Sequence, residues 1–173
     1  MNLIDKFKLV TTFILDVDGV LTDGTVYVFE NGEQVRRMSI KDGFALQLAI
    51  KKGYRLLVIS GGNSPAVIER LKKLGITDIF MNVLDKKALV VLYVEDHQLN
   101  KEQVLYMGDD IPDYAAMKAV GMPAAPADAA HEIRKAAVYI ASAKGGKGCV
   151  REVIEKVLKL NGHWELETDI ASR

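Results

Sequence analysis

The chain has 173 residues, of which 49% are apolar, so it can bury the core of one domain of ordinary size. Its 23 basic and 23 acidic side chains cancel, and this balance gives no reason to expect binding to nucleic acid or to an anionic membrane surface. We therefore expect a single domain over residues 1–173 that acts on a small substrate or a protein partner.

The chain is predicted to reside in the cytoplasm. Cys149 is its only cysteine, which excludes a disulfide within the chain and suits a reducing compartment. The first twelve residues contain no signal-peptide core, and no stretch approaches the roughly 18 apolar residues that span a bilayer.

Strands and helices are predicted to alternate along the chain. Short apolar runs predict strands at 12–17, 54–60, 76–82, 103–107, 122–125 and 138–141. Helical spacing predicts helices at 42–52, 64–75, 86–97, 112–120, 129–135 and 150–160. Asn31-Gly32 between two β-rich runs predicts a hairpin over 24–40, and the polar segment 162–173 is predicted to fray. This alternation is typical of an α/β fold with a parallel sheet covered on both faces.

Polar side chains follow several of the predicted strands. Asp16 and Asp18 end the first strand, Ser60 ends the second, and Asp109 and Asp110 follow a later one. Ligands bind at the carboxyl ends of the strands in such sheets, and crowded carboxylates call for a cation. Hard oxygen ligands suit Mg²⁺. Any one of these aspartates, taken alone, is also well explained as a helix cap or turn former.

Asp16 and Asp18 are two residues apart, so they face the same way along an extended chain. Both can then reach one phosphorus atom, one carboxylate attacking it while the other exchanges a proton with the leaving group.

Four segments together resemble the motifs of the haloacid dehalogenase superfamily: D-x-D-G, a Ser or Thr ending a strand, a lysine, and G-D-D-x-x-D. They are Asp16-Val-Asp-Gly-Val20, Ser60, Lys86 and Gly108-Asp-Asp-Ile-Pro-Asp113. The resemblance implies a three-layer, doubly wound, Rossmann-like parallel sheet, with the hairpin after the first strand.

The resemblance also implies roles for these residues. Asp16 would form an aspartyl-phosphate, and Asp18 would protonate the leaving alkoxide and then activate water. Ser60, Gly61 and Lys86 would hold the phosphoryl oxygens. Because dehalogenating members lack the second carboxylate, Asp18 favours phosphate transfer.

Mg²⁺ would be bound by Asp16, Asp109 and the backbone carbonyl of Asp18. Asp110 and Asp113 would lie behind the residues that bind the ion, and Asp113 would orient Lys86 or a metal-bound water. A helix-start aspartate is an equally good interpretation of Asp113.

No interval between the motifs is long enough for a cap domain. The chain therefore resembles the capless branch typified by the 3-deoxy-D-manno-octulosonate 8-phosphate phosphatases, also in segments 18–24, 41–43 and 145–152. This implies a 3-deoxy-2-ulosonate phosphate as substrate, with the eight-carbon sugar acid favoured and the nine-carbon acid as the alternative. Gly62 departs from the pattern, because octulosonate phosphatases usually have arginine there and nononate 9-phosphatases have glutamate.

In that branch the hairpins of four subunits associate, so we expect a homotetramer with active sites at subunit boundaries. The alternative is a hairpin that packs on its own domain. Arg70, Lys73, Lys147 and Arg151 are candidate substrate-binding cations, together with Gly62; exposed basic residues also serve solubility. Gly145-Gly146 is either a flexible turn or a backbone that approaches the substrate.

Two other classes are considered. A two-component receiver domain also combines acidic residues with a lysine, although its phosphorylated aspartate normally ends a later strand. A catalytically idle relative would only bind or scaffold. His97, His131 and His163 have no metal-ligand spacing, and Cys149 is expected to be a packed small residue.

Overall fold

The computed structural model describes residues 2–166 and 168–171, which form a six-stranded sheet between layers of helices. Its strands are β1 (Thr12–Asp16), β4 (Arg55–Ile59), β5 (Asp78–Phe80), β6 (Val104–Met107), β7 (Met122–Ala125) and β8 (Tyr139–Ile140). The order is β5-β4-β1-β6-β7-β8, and every pair is parallel. The order reverses between β1 and β6, which is where ligands bind in open α/β sheets.

The central strands are buried on both faces, as their apolar runs predict. Successive residues of β1 alternate between two cores: Phe13 and Leu15 join one cluster, while Ile14 joins the other with Leu57 and Tyr106. The sheet is therefore held from both sides at the strands that carry the candidate site.

Helices cover both faces of the sheet. They are α1 (Leu3–Leu9), α2 (Ile40–Lys51), α3 (Pro65–Lys73), α4 (Lys86–Asp96), α5 (Tyr114–Met117), α6 (His131–Ala136) and α7 (Cys149–Leu160). Short 3₁₀ turns lie at Lys101–Gln103 and Ile111–Asp113, and one π-type turn spans Val17–Leu21 directly after β1. No helix among the described residues is long and apolar enough to cross a membrane.

Helix α1 was not predicted from the sequence. Asn2 caps it by accepting a hydrogen bond from the Asp5 N–H, and Phe7 packs edge-on against the Tyr139 ring at 5.0 Å. Lys6 donates to the Gly121 carbonyl. A seven-residue helix is marginal alone, so these tertiary contacts stabilise what the local pattern does not.

A buried carboxyl group joins α2 to α7. The Oδ1 atom of Asp42 accepts the Arg151 N–H at 2.7 Å in the first turn of α7, where the cap position itself is Gly148. Burial raises the pKa of Asp42 to about 6. Cys149, beside it, is buried, and its Sγ donates to the Val20 carbonyl.

The predicted hairpin is present and lies outside the main sheet. Its strands β2 (Tyr27–Val28) and β3 (Gln34–Val35) are antiparallel and shorter than predicted. Gly32 has φ 84°, a value suited to a tight turn. The apolar side chains near its tip are exposed to solvent: Val26, Tyr27, Val28, Phe29 and Val35.

The described part of the chain after α7 contacts the rest of the fold. The Tyr54 hydroxyl and His163 Nδ1 are hydrogen-bonded at 2.9 Å, and Trp164 packs edge-on against Phe44. Lys51 pairs with Asp169. The prediction of fraying over 162–173 also covers residues 167, 172 and 173, which lie outside the described residues.

Candidate active site

A cavity of about 300 Å³ opens at the carboxyl ends of β1, β4 and β6. Among the predicted catalytic and phosphate-binding residues, those that line it are Asp16, Asp18, Ser60, Gly61 and Lys86. Gly62 and the aspartates Asp109, Asp110 and Asp113 line it as well. The fold thus brings residues from four separate motifs to one place.

Asp16 is the last residue of β1 and is buried. Its Oδ1 atom accepts hydrogen bonds from the Val17 N–H at 2.7 Å and from Lys86 Nζ at 3.0 Å. Burial, and then the neighbouring charge of Asp113, raise the pKa of Asp16 to about 8, although Lys86 acts in the opposite direction. At neutral pH Asp16 therefore needs a further positive charge beside it to be a carboxylate, which is the form that can act as a nucleophile.

Lys86 is the first residue of α4 and lies between two carboxylates. Its Nζ is 2.7 Å from Asp113 Oδ1 and 3.0 Å from Asp16 Oδ1. Burial alone would lower the pKa of Lys86, but the charges and hydrogen bonds of Asp16 and Asp113 outweigh it and raise the pKa. Lys86 therefore remains a cation beside Asp16.

Asp113 anchors the site from a fully buried position. Its Oδ1 also accepts the Tyr106 hydroxyl at 2.7 Å, and its Oδ2 accepts the Asp109 N–H at 3.0 Å. Burial, reinforced by Asp113, raises the pKa of Tyr106 well above its ordinary value, so the phenol stays protonated as a donor. Tyr106 was missed by sequence reasoning; the available signal was a tyrosine in an apolar strand, whose hydroxyl needs a buried partner.

Asp18 lies at the rim of the cavity and is paired with Arg36. The Arg36 Nε donates to Asp18 Oδ1 at 2.7 Å, from a position immediately after β3. Arg36 was also missed, because its place beside Asp18 depends on how the hairpin folds back. No local pattern around residue 36 indicates this contact.

Gly19 allows Asp109 to reach the site. Its φ is 83°, and a Cβ atom added there would lie 1.9 Å from Asp109 Oδ2, so a side chain would displace that carboxylate. Burial, followed by the charges of Asp113 and Asp110, raises the pKa of Asp109 to about 7. Asp110 is exposed and caps the next turn by accepting the Ile111 N–H.

The acidic cluster fits a divalent cation. Carboxylate oxygens of Asp16, Asp109 and Asp113 lie within 4.8 Å of one another. Because Asp113 already accepts hydrogen bonds at both oxygens, Asp16 and Asp109 are the better candidate ligands. Burial first, and then the neighbouring carboxylates, raise the pKa values of both groups, and a hard cation would offset the charge of their ionised forms.

Ser60 follows β4 and is buried in the cavity wall. Its Oγ accepts the Gly62 N–H at 3.1 Å, which leaves the hydroxyl proton available to donate to a phosphoryl oxygen. The segment from Ser60 to Gly62 therefore presents small groups that a phosphate can approach closely.

The four predicted substrate-binding cations do not line this cavity among the described residues. Arg70 and Lys73 lie on α3, where Lys73 pairs with Glu69 at 2.7 Å. Lys147 is exposed in the loop before α7. Arg151 pairs with Glu155 and lies over the Trp164 ring at 5.4 Å. The binding roles of these four residues remain predictions, and the predicted contacts would be made across a subunit boundary.

Gly145-Gly146 approaches the chain's own backbone. A Cβ atom on Gly145 would lie 2.0 Å from the Gly19 carbonyl oxygen, and one on Gly146 would lie 2.5 Å from Asp23 N. The Gly146 N–H donates to the Val20 carbonyl at 2.9 Å. These glycines support the loop that follows Asp16. Neither the flexible turn nor the approach to the substrate predicted from the sequence includes this contact.

Comparison with known proteins identifies the family. The family model described as a haloacid dehalogenase-like hydrolase matches residues 26–121, a segment that contains Ser60, Lys86 and Asp109 and begins after Asp18. The chain is 34% identical over 161 residues to the 3-deoxy-D-manno-octulosonate 8-phosphate phosphatase KdsC of Escherichia coli K12, which covers 93% of this chain and 86% of that protein. The chain therefore belongs to the haloacid dehalogenase-like hydrolases.

Solved structures agree with this assignment. The Moraxella catarrhalis 3-deoxy-D-manno-octulosonate 8-phosphate phosphatase, determined with magnesium, phosphate and KDO, has a TM-score of 0.87 at 32% identity and covers 91% of this chain and 90% of its own. The cobalt-bound phosphatase of Haemophilus influenzae has a TM-score of 0.86 at 33% identity, covering 91% and 92%. Within the family, this chain is a phosphatase with the capless fold of these enzymes, which confirms the predicted fold class and excludes the receiver domain.

Proposed function

We propose that this phosphatase hydrolyses the phosphate ester of a 3-deoxy-2-ulosonate, through an aspartyl-phosphate on Asp16 and with Mg²⁺ as cofactor. The observation that carries the proposal is the contact of Lys86 with both Asp16 and Asp113, beside Asp18 and Asp109 at the switch point of the sheet. In this proposal Asp16 is the nucleophile, Asp18 is the acid/base and Lys86 is a fixed cation, and all three line one cavity of about 300 Å³.

In the first step, a carboxylate oxygen of Asp16 attacks phosphorus and the bond from phosphorus to the sugar oxygen breaks. Asp18 donates its proton to the departing alkoxide. In the second step, Asp18 takes a proton from water, which attacks the phosphorus of the aspartyl-phosphate. Inorganic phosphate leaves, and Asp16 and Asp18 return to their starting states.

Lys86, Ser60 and Gly61 hold the phosphoryl oxygens in this proposal. Lys86 is fixed by Asp113, so its charge is already in place when negative charge develops on the phosphoryl group. Asp16, Asp109 and the carbonyl of Asp18 would hold Mg²⁺, whose charge would offset that of the phosphate and of the carboxylates.

The substrate class is supported by the relatives, several of which are 3-deoxy-D-manno-octulosonate 8-phosphate phosphatases. We favour the eight-carbon acid and keep the nine-carbon acid as the alternative, because Gly62 carries neither of the side chains expected for the two. Arg70, Lys73, Lys147 and Arg151 would contact the sugar acid across the boundaries of a homotetramer.

The test is phosphate release, with and without Mg²⁺, from both ulosonate phosphates and from common hexose phosphates. We expect release that depends on Mg²⁺ and strongly prefers a sugar acid. Indiscriminate release would retain the phosphatase and remove the sugar-acid assignment. No release from any substrate would leave a binding or scaffolding role.

Asp16→Asn is expected to abolish turnover, because the amide keeps the shape of the side chain and loses the nucleophile. The effect is a loss of at least about 10³-fold in kcat, with an unchanged circular dichroism spectrum. Asp96→Asn, an exposed aspartate at the end of α4, is the matched control and should retain full activity. Substantial turnover by Asp16→Asn would contradict the assignment of the nucleophile.

A further inference from the structure

Asp42 is a buried carboxyl group that the catalytic steps above do not use. It lies in the first turn of α2 and is 2% exposed. Its Oδ1 atom accepts the Arg151 N–H at 2.7 Å, and its Oδ2 atom has no hydrogen-bond partner among the described residues. A buried oxygen without a partner costs free energy. Stability alone therefore does not account for a carboxyl group at this position.

The carboxyl group of Asp42 caps α7 from another helix. The cap position of α7 is Gly148, so this helix has no side-chain cap from its own sequence. Arg151 is the third residue of α7, and its N–H is one of those that a capping side chain usually satisfies. Because Asp42 supplies the missing acceptor, the position of the first turn of α7 depends on α2.

The first turn of α7 and the loop before it contact the turn that carries Asp18. The Val20 carbonyl accepts the Gly146 N–H at 2.9 Å and the Cys149 thiol at 3.4 Å. Gly146 lies in the loop, and Cys149 is the first residue of α7. These two hydrogen bonds hold the backbone two residues after Asp18.

The turn after β1 has an irregular backbone. Within it, the Thr22 N–H donates to the Val17 carbonyl at 3.0 Å, and the Gly19 N–H donates to Thr22 Oγ1 at 3.2 Å. The backbone angles of Asp18 and Gly19 are not helical, and φ of Gly19 is 83°. Such a backbone depends on surrounding contacts for its shape. A displacement of Val20 would therefore also move Asp18.

We propose that Asp42 is a positioning residue for this phosphatase: it caps α7 and thereby holds the loop before α7 against the turn that places Asp18 for proton transfer. The inference rests on the proposed function, in which Asp18 protonates the leaving alkoxide. Asp42 acts through Asp18, since it is not among the residues that line the cavity.

The structural alternative is that Asp42 only stabilises the packing of α2 on α7. The two roles differ in what they predict for a leaving group that needs no proton. The alkoxide of a sugar phosphate must be protonated by Asp18, whereas p-nitrophenolate is a stable anion that leaves without this proton. A smaller amount of folded enzyme would lower the rates on both kinds of ester equally.

The experiment measures kcat/KM at saturating Mg²⁺ for 3-deoxy-D-manno-octulosonate 8-phosphate and p-nitrophenyl phosphate. Glucose 6-phosphate replaces the sugar acid if the wild type does not accept the latter. For Asp42→Ala we expect kcat/KM on the sugar phosphate to fall about 10- to 100-fold, which is part of the factor that a general acid supplies. The value on p-nitrophenyl phosphate should stay within about 3-fold of the wild type.

Asn2→Ala is the matched control. It also removes a helix cap, because Asn2 accepts the Asp5 N–H at the start of α1, but it makes no contact with the loop before α7. We expect this variant to keep the wild-type values of kcat/KM on both esters.

Asp42→Asn is the conservative variant. Its amide retains the Oδ1 acceptor for the Arg151 N–H, so we expect kcat/KM on the sugar phosphate to stay within about 3-fold of the wild type. If circular dichroism shows that Asp42→Ala does not fold, Asp42→Ser takes its place, since the serine hydroxyl ends one bond short of the Oδ1 position.

A further measurement needs the sugar phosphate alone. Adding Asp42→Ala to Asp18→Asn should cause no further loss, because the carboxyl group that Asp42 positions is already absent. Equal losses on the two esters, no loss on the sugar phosphate, or a full additional loss in the double variant would overturn the inference and leave the phosphatase intact. Wild-type enzyme that hydrolyses neither sugar phosphate would overturn the proposed function, and this inference with it.

Discussion

At the scale of single residues, the site is a set of carboxylates kept close together by one lysine. Asp113 has no contact with solvent and receives donors from Lys86, Tyr106 and the Asp109 backbone. Three donors thus hold Asp113 in place, and its charge helps to raise the pKa values of Asp16 and Asp109. A cation bound by Asp16 and Asp109 would offset the charge of these two groups when they are ionised.

The raised pKa values of Asp16 and Asp109 predict how stability depends on pH. In the protein without metal, the pKa values of Asp16 and Asp109 rise from 3.8 to about 8 and about 7. A carboxyl group whose pKa is raised by folding stabilises the folded state while it is protonated, and that contribution is lost as the pH rises through the folded pKa. These two groups should therefore lower the melting temperature in EDTA progressively from about pH 4 to about pH 8, by at least on the order of 5 °C.

Added Mg²⁺ should reverse most of this fall, because it offsets the charges of the ionised carboxylates. The double variant Asp16→Asn/Asp109→Asn is the control: it should lose most of the dependence on pH, keep the smaller part due to Asp42, and show no response to Mg²⁺. A wild-type melting temperature that rises over this pH range in EDTA would contradict the raised pKa values of Asp16 and Asp109.

The sequence predicted the site residues whose position follows from a strand end. Asp16, Ser60 and Asp109 each come directly after an apolar run, so the parallel sheet brings them together without further information. Tyr106 and Arg36 were missed for different reasons. Tyr106 points into a core that its neighbours alone do not reveal, and the position of Arg36 depends on the folding of the hairpin.

At the scale of elements, the loop before α7 supports the turn that follows β1. Gly145 and Gly146 lie against the backbone from Gly19 to Asp23, closer than any side chain permits. The turn at Val17–Leu21 is irregular at Asp18 and Gly19, so it depends on such outside contacts for its shape. The two segments are more than 120 residues apart in sequence and act as one unit.

Gly145→Ala is therefore expected to disturb catalysis from outside the cavity. The added methyl group would overlap the Gly19 carbonyl, with a cost of about 1–3 kcal/mol in the free energy of unfolding and a displaced Asp18. Urea unfolding and phosphate release should both register the change. Gly162→Ala is the control, because its added methyl group would have no atom within 4 Å. Alanine is strained at the positive φ of residue 162, so this variant should be less stable without a lower kcat. Full activity in Gly145→Ala would show that the loop shape does not depend on this contact.

The strands and larger helices were predicted from the sequence, whereas helix α1 was not. All six sheet strands and the larger helices lie within a few residues of their predicted bounds, because buried strands and amphipathic helices differ in period. Helix α1 was missed because its stability comes from Phe7 packing on Tyr139 and from the Asn2 cap. Such contacts between distant segments are not visible in the local pattern.

At the scale of the whole molecule, the exposed hairpin calls for a partner. Tyr27, Val28 and Phe29 are each more than half exposed on an element that lies outside the main sheet. An apolar patch of this kind marks an interaction surface. The proposed homotetramer would cover it and would bring Arg70, Lys73, Lys147 and Arg151 to neighbouring sites.

Val28→Glu should therefore lower the oligomeric state. A buried, unpaired carboxylate at the centre of the proposed interface would dissociate the tetramer, and sedimentation velocity would detect smaller particles. Leu92→Glu is the control, since Leu92 is a comparably exposed apolar residue on α4, away from the hairpin, and should leave the mass unchanged. Wild-type protein that sediments only as a 19.1 kDa particle at micromolar concentration would remove the tetramer from the proposal.

The hairpin also makes the active site depend on an element outside the main sheet. Asp16, Ser60 and Lys86 are held at strand ends and on α4, while Asp18, in the turn after β1, is contacted by Arg36 from a two-stranded ribbon outside that sheet. A change in the ribbon can therefore reach Asp18 through Arg36 without any change in the packing of the core.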